Sequence, residues 1–334
     1  MGLMLITTTK FPNELAMRKF IISASLILLL CSAIHGQDLQ EVTIVSSLDQ
    51  SEQPAFVFIP KEVSEPVPLL VMLHTWSGDY KQKNHINIAV EECRKRNWAM
   101  VFPNFRGPNW TPQACGSSLA VQDVVDAVNW MQKESSIDEK KIYLTGVSGG
   151  GHMSMLMAGK HPEIWAGVSA WVGISDLSAW HKECQSAGRN YATHIEKVVG
   201  GVPGSNVEVD AQLRSRSPIN FLQRAKGLPI DLNAGIHDGH TGSVPISHTL
   251  IAFNALAKAN DQTKQQISSA DIREMTQKQT VPDALQFEGE SEKRTHEVLL
   301  RRNAGSSRVT IFEGGHEGDL PTAIEWLSQQ SRSR

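Results

Sequence analysis

This 334-residue sequence has too little positive charge to attract nucleic acid. Its 32 Lys and Arg residues are outnumbered by 35 Asp and Glu residues, which gives a formal net charge of −3 at pH 7. No long run of Lys or Arg occurs in the body of the chain to bind phosphate groups or anionic lipid. We therefore expect no nucleic acid partner and no stable membrane association of the mature protein.

Cysteine is also scarce, with four residues in the whole sequence. Their spacing matches no zinc site, and no local pattern around them indicates a catalytic cysteine, so we predict no metal site. Cys93 falls in a predicted helix and is expected to be a buried thiol. Cys115 and Cys184 fall in predicted loops and are the pair that could form a disulfide, which sequence alone does not decide.

The one long apolar run lies near the N-terminus. Arg18 and Lys19 precede an apolar stretch at residues 20–30, and small or neutral residues follow it. This order is typical of a secretory signal peptide, and the stretch is shorter than the about 20 residues that a membrane-spanning helix needs. We predict a signal peptide at residues 1–36 and a secreted or periplasmic protein, with an uncleaved N-terminal anchor as the alternative.

After the N-terminal region, short apolar runs rich in β-branched residues alternate with longer segments of helical period. The runs predict strands that are buried on both faces, at residues 69–74, 98–103, 141–147, 166–174, 228–236 and 308–312. Residues 41–47 and 55–60 are expected to form an antiparallel hairpin at one edge. The alternation predicts an α/β fold, with a mostly parallel sheet of about eight strands and helices on both faces.

Two segments interrupt this alternation within a single predicted catalytic domain at residues 37–334. Residues 176–227 occupy the place where such folds often carry a cap over the active site, so we predict a cap insertion there. Residues 261–302 are polar, charged and weakly periodic. They predict a surface insertion ahead of the last strand.

A candidate nucleophile follows the strand predicted at residues 141–147. Residues 146–150 have the sequence Gly-Val-Ser-Gly-Gly and precede a predicted helix. A G-x-S-x-G motif at a strand-to-helix junction is typical of a nucleophile elbow, a turn so sharp that its flanking residues must be glycine. We therefore predict that Ser148 is the nucleophile and that the backbone amide of Gly149, at the start of the helix, stabilises an oxyanion.

A serine nucleophile requires a histidine base, and the expected chain order of serine, acid and histidine places that base late in the sequence. His316 follows the last predicted strand in a glycine-flanked loop and is the predicted base. The competing histidines nearest in position are His237, His240 and His296.

The acid that orients the histidine is predicted to be Asp238, directly after the strand at residues 228–236. Asp176, after the preceding strand, is the alternative, because some hydrolases place their acid there. Asp231 lies too early in its strand to reach the catalytic edge.

A second oxyanion donor is expected from the loop that follows the strand at residues 69–74. The backbone amide of Trp76 is the predicted donor, with Thr75 or Ser77 as alternatives one residue away. His74 is expected to bond to the backbone at the end of its strand.

These motifs together resemble those of the α/β-hydrolase superfamily, and within it the prolyl-oligopeptidase-like serine hydrolases and small secreted carbohydrate esterases. The resemblance rests on residues 73–76, 146–151, 236–238 and 314–316 and covers about residues 40–334 in consistent order. It implies a Ser-His-Asp triad that works through an acyl-enzyme intermediate and needs no cofactor.

The resemblance leaves the substrate open. Peptidases of this family usually carry a large β-propeller ahead of the hydrolase domain, and the sequence has room only for an edge hairpin. We therefore expect an esterase for a small-molecule or polysaccharide ester, with Trp76, Trp110 and Trp180 as candidate platforms for a sugar ring. The alternatives are a prolyl-oligopeptidase-like peptidase and a non-catalytic binding protein with the hydrolase fold.

Overall fold

A computed structural model describes residues 1, 39–61, 64–289 and 293–332. The predicted signal peptide lies outside the described residues apart from Met1, so it stays a prediction. In the described part of the chain, no helix combines the length and the apolar character that crossing a bilayer requires.

A nine-stranded mixed sheet forms the centre of the described chain. The strands are β1 Gln40–Val45, β2 Glu52–Phe58, β3 Val67–Leu73, β4 Ala99–Pro103, β5 Ile137–Val147, β6 Gly167–Trp171, β7 Ile230–Gly235, β8 Val298–Ala304 and β9 Ser307–Phe312. Their order is β1-β2-β4-β3-β5-β6-β7-β9-β8. The six neighbouring strands β4, β3, β5, β6, β7 and β9 run parallel to one another. The pairs β1 with β2, β2 with β4 and β8 with β9 are antiparallel.

Helices cover both faces of this sheet. In the described residues the α-helices are α1 Lys83–Arg96, α2 Ser118–Glu134, α3 Gly149–Lys160, α4 Leu177–Ser186, α5 Tyr191–Val199, α6 Val207–Arg216, α7 Ser247–Ala259, α8 Ser269–Lys278 and α9 Leu320–Ser328. The chain steps from β3 to β4 in one direction and from β4 to β5 in the other. Because such crossovers are right-handed, α1 and α2 lie on opposite faces, and α9 packs against α1. The predicted α/β-hydrolase fold is therefore confirmed.

The backbone amides in the first turn of a helix have no acceptor within the helix. At several helices a polar side chain just before the first turn accepts a hydrogen bond from one of these amides. Ser117 caps α2, Asn206 caps α6, Ser268 caps α8 and Asp319 caps α9. Asp176 caps α4 by accepting from the amides of its second and third following residues.

The segment predicted as a cap, residues 176–227, contains α4, α5 and α6. Together with a few residues from other loops, these helices bury a hydrophobic cluster separate from the main core, which includes Trp76, Trp180, Ile195 and Leu213. The segment is therefore a packed layer of helices rather than a loose loop.

The segment predicted as a surface insertion, residues 261–302, differs from the expectation. It contains α8 and the first residues of β8, which pairs antiparallel with β9 at the edge of the sheet. β8 carries Arg301 and Arg302, and such charges are common on edge strands because only one side of the strand is paired. Because these two arginines interrupt the apolar run, the sequence pattern does not predict this strand.

Asp231 lies within β7 and its side chain is fully buried. Its carboxylate accepts hydrogen bonds from Arg308 Nε at 2.7 Å, from Asn233 Nδ2 at 2.7 Å and from Ser169 Oγ at 3.2 Å. These contacts tie β6, β7 and β9 together below the catalytic edge, so Asp231 stabilises the sheet and stands apart from the candidate triad.

Candidate active site

Three predicted site residues meet at one edge of the sheet. Ser148 follows β5, Asp238 lies three residues after β7 and His316 lies four residues after β9. Because β5, β6, β7 and β9 are parallel neighbours, the loops after their carboxyl ends lie side by side. His316 Nε2 is 2.9 Å from Ser148 Oγ, and His316 Nδ1 is 2.7 Å from Asp238 Oδ2.

Ser148 adopts the strained backbone conformation expected of an elbow, with φ 60° and ψ −116°. A side chain on Gly146 would place its Cβ 2.5 Å from the carbonyl carbon of Gly150. A side chain on Gly149 would place its Cβ 2.4 Å from the backbone nitrogen of Trp76. The elbow is therefore so tight at Gly146, and packs so closely against the loop after β3 at Gly149, that only glycine fits at these two positions.

The carboxylate of Asp238 is held on both oxygens. Oδ1 accepts the backbone amides of Gly239 at 2.8 Å and Val244 at 3.0 Å, which leaves Oδ2 for His316. A carboxylate at Nδ1 favours the tautomer with a proton there, so Nε2 of the neutral ring is free to accept the Ser148 hydroxyl. Asp176 faces α4 as its cap and does not contact His316.

The backbone amides of Trp76 and Gly149 lie beside each other at this elbow. The amide of Gly149 begins α3, where no carbonyl of the helix can accept it. The amide of Thr75 donates to Gln82 Oε1 at 3.1 Å, so it is occupied. None of the described loop hydrogen bonds uses the amide of Trp76. This geometry favours Trp76 over Thr75 as the second oxyanion donor.

His74 fixes the start of the same loop. Its ring nitrogens lie 2.9 Å from the carbonyl oxygen of Thr75 and 2.8 Å from that of Asn104. The ring stacks on Phe105 with 3.9 Å between centroids, and burial lowers the pKa of His74. The neutral ring has one N–H, so it donates to one of these two carbonyl oxygens, and it lies buried beside Phe105 rather than in the cleft.

The candidate triad opens into a cleft of about 390 Å³. It is lined by Thr75, Trp76, Ser77, His85, Val147, Ser148, Tyr191, His316, Glu317 and Gly318. Sequence reasoning did not select His85, Tyr191 or Glu317. Glu317 had a signal, its position next to His316, and Tyr191 had the signal of an aromatic residue in the predicted cap. His85 had none, because only the tertiary fold brings α1 to the cleft.

Two of the three tryptophans proposed as sugar platforms are buried instead. Trp76 and Trp180 are 2% and 1% exposed, with ring centroids 4.7 Å apart in an edge-on contact. Both belong to the cluster under the cap, so neither has a face open to a ligand. Trp110 is 38% exposed and remains available.

The three cysteines in the described residues are free thiols, and all three are buried. The disulfide considered between Cys115 and Cys184 is absent, and Cys184 lies on α4 rather than in a loop. Burial raises the pKa of both thiols to about 12 and raises that of Cys93 as well, so all three are unreactive at neutral pH. Among the described residues, no three His, Cys, Asp or Glu side chains are grouped to hold a metal ion.

The competing histidines have other partners. His237 Nε2 lies 2.7 Å from Glu313 Oε1, His240 Nε2 lies 2.7 Å from the carbonyl oxygen of Thr276, and His296 pairs with Glu317. His316 is the histidine that contacts Ser148.

Comparison with known proteins identifies relatives of two kinds. The family model described as prolyl oligopeptidase family matches residues 93–271, which is more than half of the chain. A probable acetylxylan esterase A of Neosartorya fischeri is 22% identical over 184 residues, covering 47% of this chain and 49% of the relative. Acetylxylan esterase A of Talaromyces purpureogenus is 21% identical over 193 residues, covering 49% and 50%. The chain thus spans about half the length of these relatives.

Solved structures show the same fold. An acylaminoacyl peptidase of Pyrococcus horikoshii matches with a TM-score of 0.54 at 16% identity, over 70% of this chain and 37% of that protein. A puromycin-hydrolysing peptidase of Mycobacterium tuberculosis matches with a TM-score of 0.57 at 15% identity, over 87% of this chain and 38% of that protein. A thermostable esterase matches with a TM-score of 0.51 at 19% identity, over 88% of this chain and 64% of that protein. At these identities the likeness concerns the fold and leaves the reaction open.

The contact between His237 and Glu313, close to the loop that carries His316, is expected to depend on pH. The hydrogen bond to Glu313 raises the pKa of His237 above its ordinary value of about 6.5. A pKa raised by folding stabilises the protein fully below the unfolded-state pKa and loses this effect as the pH rises through the folded-state pKa. We expect His237→Gln to lower the free energy of unfolding by less than about 1 kcal/mol at pH 5.5, because the pair is partly exposed, and by less at pH 8.5.

Urea unfolding at the two pH values measures this difference. Glu313→Gln is the matched variant and should reproduce the loss at pH 5.5, with little added by the double substitution. Equal losses at both pH values would show that the contact of His237 does not depend on its charge.

Proposed function

This chain belongs to the prolyl oligopeptidase family of serine hydrolases, and we propose that it is a secreted carboxylic ester hydrolase that acts on acylated carbohydrate. The observation that carries the proposal is the hydrogen-bonded line from Asp238 through His316 to Ser148, at the floor of a cleft that a substrate can enter. Such a line is the arrangement that acyl transfer requires.

In the proposed reaction, Ser148 Oγ attacks the ester carbonyl carbon while its proton passes to His316 Nε2. Asp238 stabilises the imidazolium that forms, and the amides of Trp76 and Gly149 donate to the oxyanion. His316 then gives its proton to the leaving alcohol oxygen as the carbon–oxygen bond breaks. Water attacks the acyl-enzyme with His316 as base, which releases the carboxylic acid and restores Ser148.

Two observations support an ester of a sugar as the substrate. The curated relatives include proteins named acetylxylan esterase, and aromatic rings extend from the cleft towards solvent. Tyr191 lines the cleft, its ring centroid is 5.9 Å from that of His194, and His194 is 5.3 Å from the exposed ring of Trp110. Aromatic faces suit the apolar faces of sugar rings, so we propose this row as a path for the carbohydrate.

The proposal is tested with purified protein and a panel of p-nitrophenyl acetate, acetylated xylo-oligosaccharides and N-acyl peptides. We expect turnover of the esters above that of the peptides, and a loss of at least about ten-thousand-fold in kcat in Ser148→Ala. Faster cleavage of the peptides would make the protein a peptidase.

Ser154→Ala is the matched control for that variant, because Ser154 also lies on the elbow helix α3 and its buried hydroxyl has no partner among the described residues. It should keep the parent's turnover. A fluorophosphonate probe should label the parent and Ser154→Ala at Ser148. An unlabelled, folded parent would support the binding-protein alternative.

A second prediction concerns the aromatic row. We expect Trp110→Ala to raise KM for acetylated xylan by about 3- to 10-fold, and to raise it far less for p-nitrophenyl acetate, which is too small to reach the indole. Ile251→Ala is the control, since Ile251 is similarly exposed, at 44%, and lies on α7. Equal effects of Trp110→Ala on both esters would contradict a role in carbohydrate binding.

The secreted location is tested by expression with the native N-terminus. We expect N-terminal sequencing of the exported protein to find a start near residue 37, because the basic and apolar order of residues 18–30 is typical of a cleaved signal. Exported protein that still carries residues 18–30 would instead indicate the uncleaved anchor.

A further inference from the structure

The turn between cap helices α4 and α5 contacts the loop that carries the candidate triad acid. We define the acid loop as residues 239–244, directly after Asp238. Arg189, in that turn, donates from Nη2 to the carbonyl oxygen of Gly239 at 2.9 Å and from Nη1 to that of Ser243 at 3.4 Å. Trp180, on α4, donates from its indole nitrogen to the same Ser243 oxygen at 2.8 Å.

The two carbonyl groups that the cap holds lie next to the amides that fix the carboxylate. The Ser243 carbonyl and the Val244 amide are the two halves of one planar peptide unit, and in a trans peptide they point in opposite directions. The amide half donates to Asp238 Oδ1 at 3.0 Å, while the carbonyl half accepts from Arg189 and Trp180. Any tilt of that peptide plane therefore changes both contacts together.

Gly239 is held through both of its backbone polar groups at the other end of the loop, although these belong to two successive peptide units rather than to one. Its amide donates to Asp238 Oδ1 at 2.8 Å, and its carbonyl accepts from Arg189. Gly239 has φ +92°, a conformation that favours glycine, and a Cβ there would lie 2.7 Å from Cα of Pro245. The acid loop is thus closely packed and is held at both ends by one guanidinium.

Arg189 has no carboxylate partner among the described residues, so no ion pair explains the position of its side chain. Its side chain is half-buried, and its recorded contacts go to the two carbonyl oxygens of the acid loop. A charged donor strengthens such hydrogen bonds, and at the peptide between Ser243 and Val244 it also polarises the unit whose amide donates to Asp238.

We propose that Arg189 and Trp180 are positioning residues for the triad, which hold the acid loop so that Asp238 keeps His316 in line with Ser148. This inference rests on the triad of the proposed function, and it applies equally to ester and amide substrates. It makes the cap part of the support of the catalytic acid as well as a wall of the cleft.

The test compares kcat and KM for p-nitrophenyl acetate in Arg189→Met, Arg189→Lys and Trp180→Phe. We expect Arg189→Met to lower kcat by about 10- to 100-fold with little change in KM, because a misplaced acid affects the reaction step rather than the entry of a small ester. Arg189→Lys should recover part of the loss, since one charged donor returns. Trp180→Phe removes the indole donor with an aromatic ring retained, and should lower kcat by a smaller factor.

His181→Gln is the matched control, because His181 pairs with Glu196 at 2.8 Å within the cap and does not contact the acid loop. It should keep the parent's kcat. Parent-like kcat in a folded Arg189→Met would overturn the inference, and so would an equal loss in His181→Gln, which would attribute the effect to cap stability. If Arg189→Met does not fold, a parent-like kcat in Trp180→Phe would overturn it. Loss of activity on Ser148→Ala is independent of these outcomes, so the two proposals can fail separately.

Discussion

The parallel pairing of β5, β6, β7 and β9 is the constraint on which the candidate site depends. It ends these strands at one edge, so residues 168 positions apart, Ser148 and His316, come within 2.9 Å. The buried contacts of Asp231 with neighbouring strands hold this register below the edge. A shift by one residue would turn the loop side chains away from each other, because alternate residues face opposite sides of a strand.

The fold and the meeting of Ser148, Asp238 and His316 could be expected from the sequence. Apolar runs mark the strands, the glycines around Ser148 mark the elbow, and chain order places the acid and the base after the serine, although it does not decide between Asp238 and Asp176. β8 was not predicted, since Arg301 and Arg302 interrupt its apolar pattern. Trp76 and Trp180 were wrongly expected at the surface, because residue type does not distinguish a ring that binds a ligand from one that packs under a cap.

The residues that form the walls of the cleft could not be predicted from the sequence. His85 comes from α1 and Tyr191 from α5, and neither is near Ser148 in the chain or belongs to a motif. Burial lowers the pKa of His85, so at neutral pH the ring has one nitrogen that donates and one that accepts. A neutral imidazole in the wall of the same cleft can exchange hydrogen bonds with hydroxyl groups, which fits the carbohydrate ester proposed as substrate.

The cap contacts both the cleft wall and the loops that position the candidate triad. Trp180 packs on Trp76, whose backbone amide is the candidate oxyanion donor, and its indole nitrogen donates to the acid loop. Tyr191, which lines the cleft, stacks on Trp180 with 5.0 Å between ring centroids and lies edge-on to Trp76 at 6.3 Å. A change in the cap that alters the shape of the cleft therefore also moves groups next to the oxyanion donor and the acid. Because Trp180 contacts Trp76, Tyr191 and the acid loop, we expect a substitution of this one residue to affect both the cleft wall and the support of Asp238.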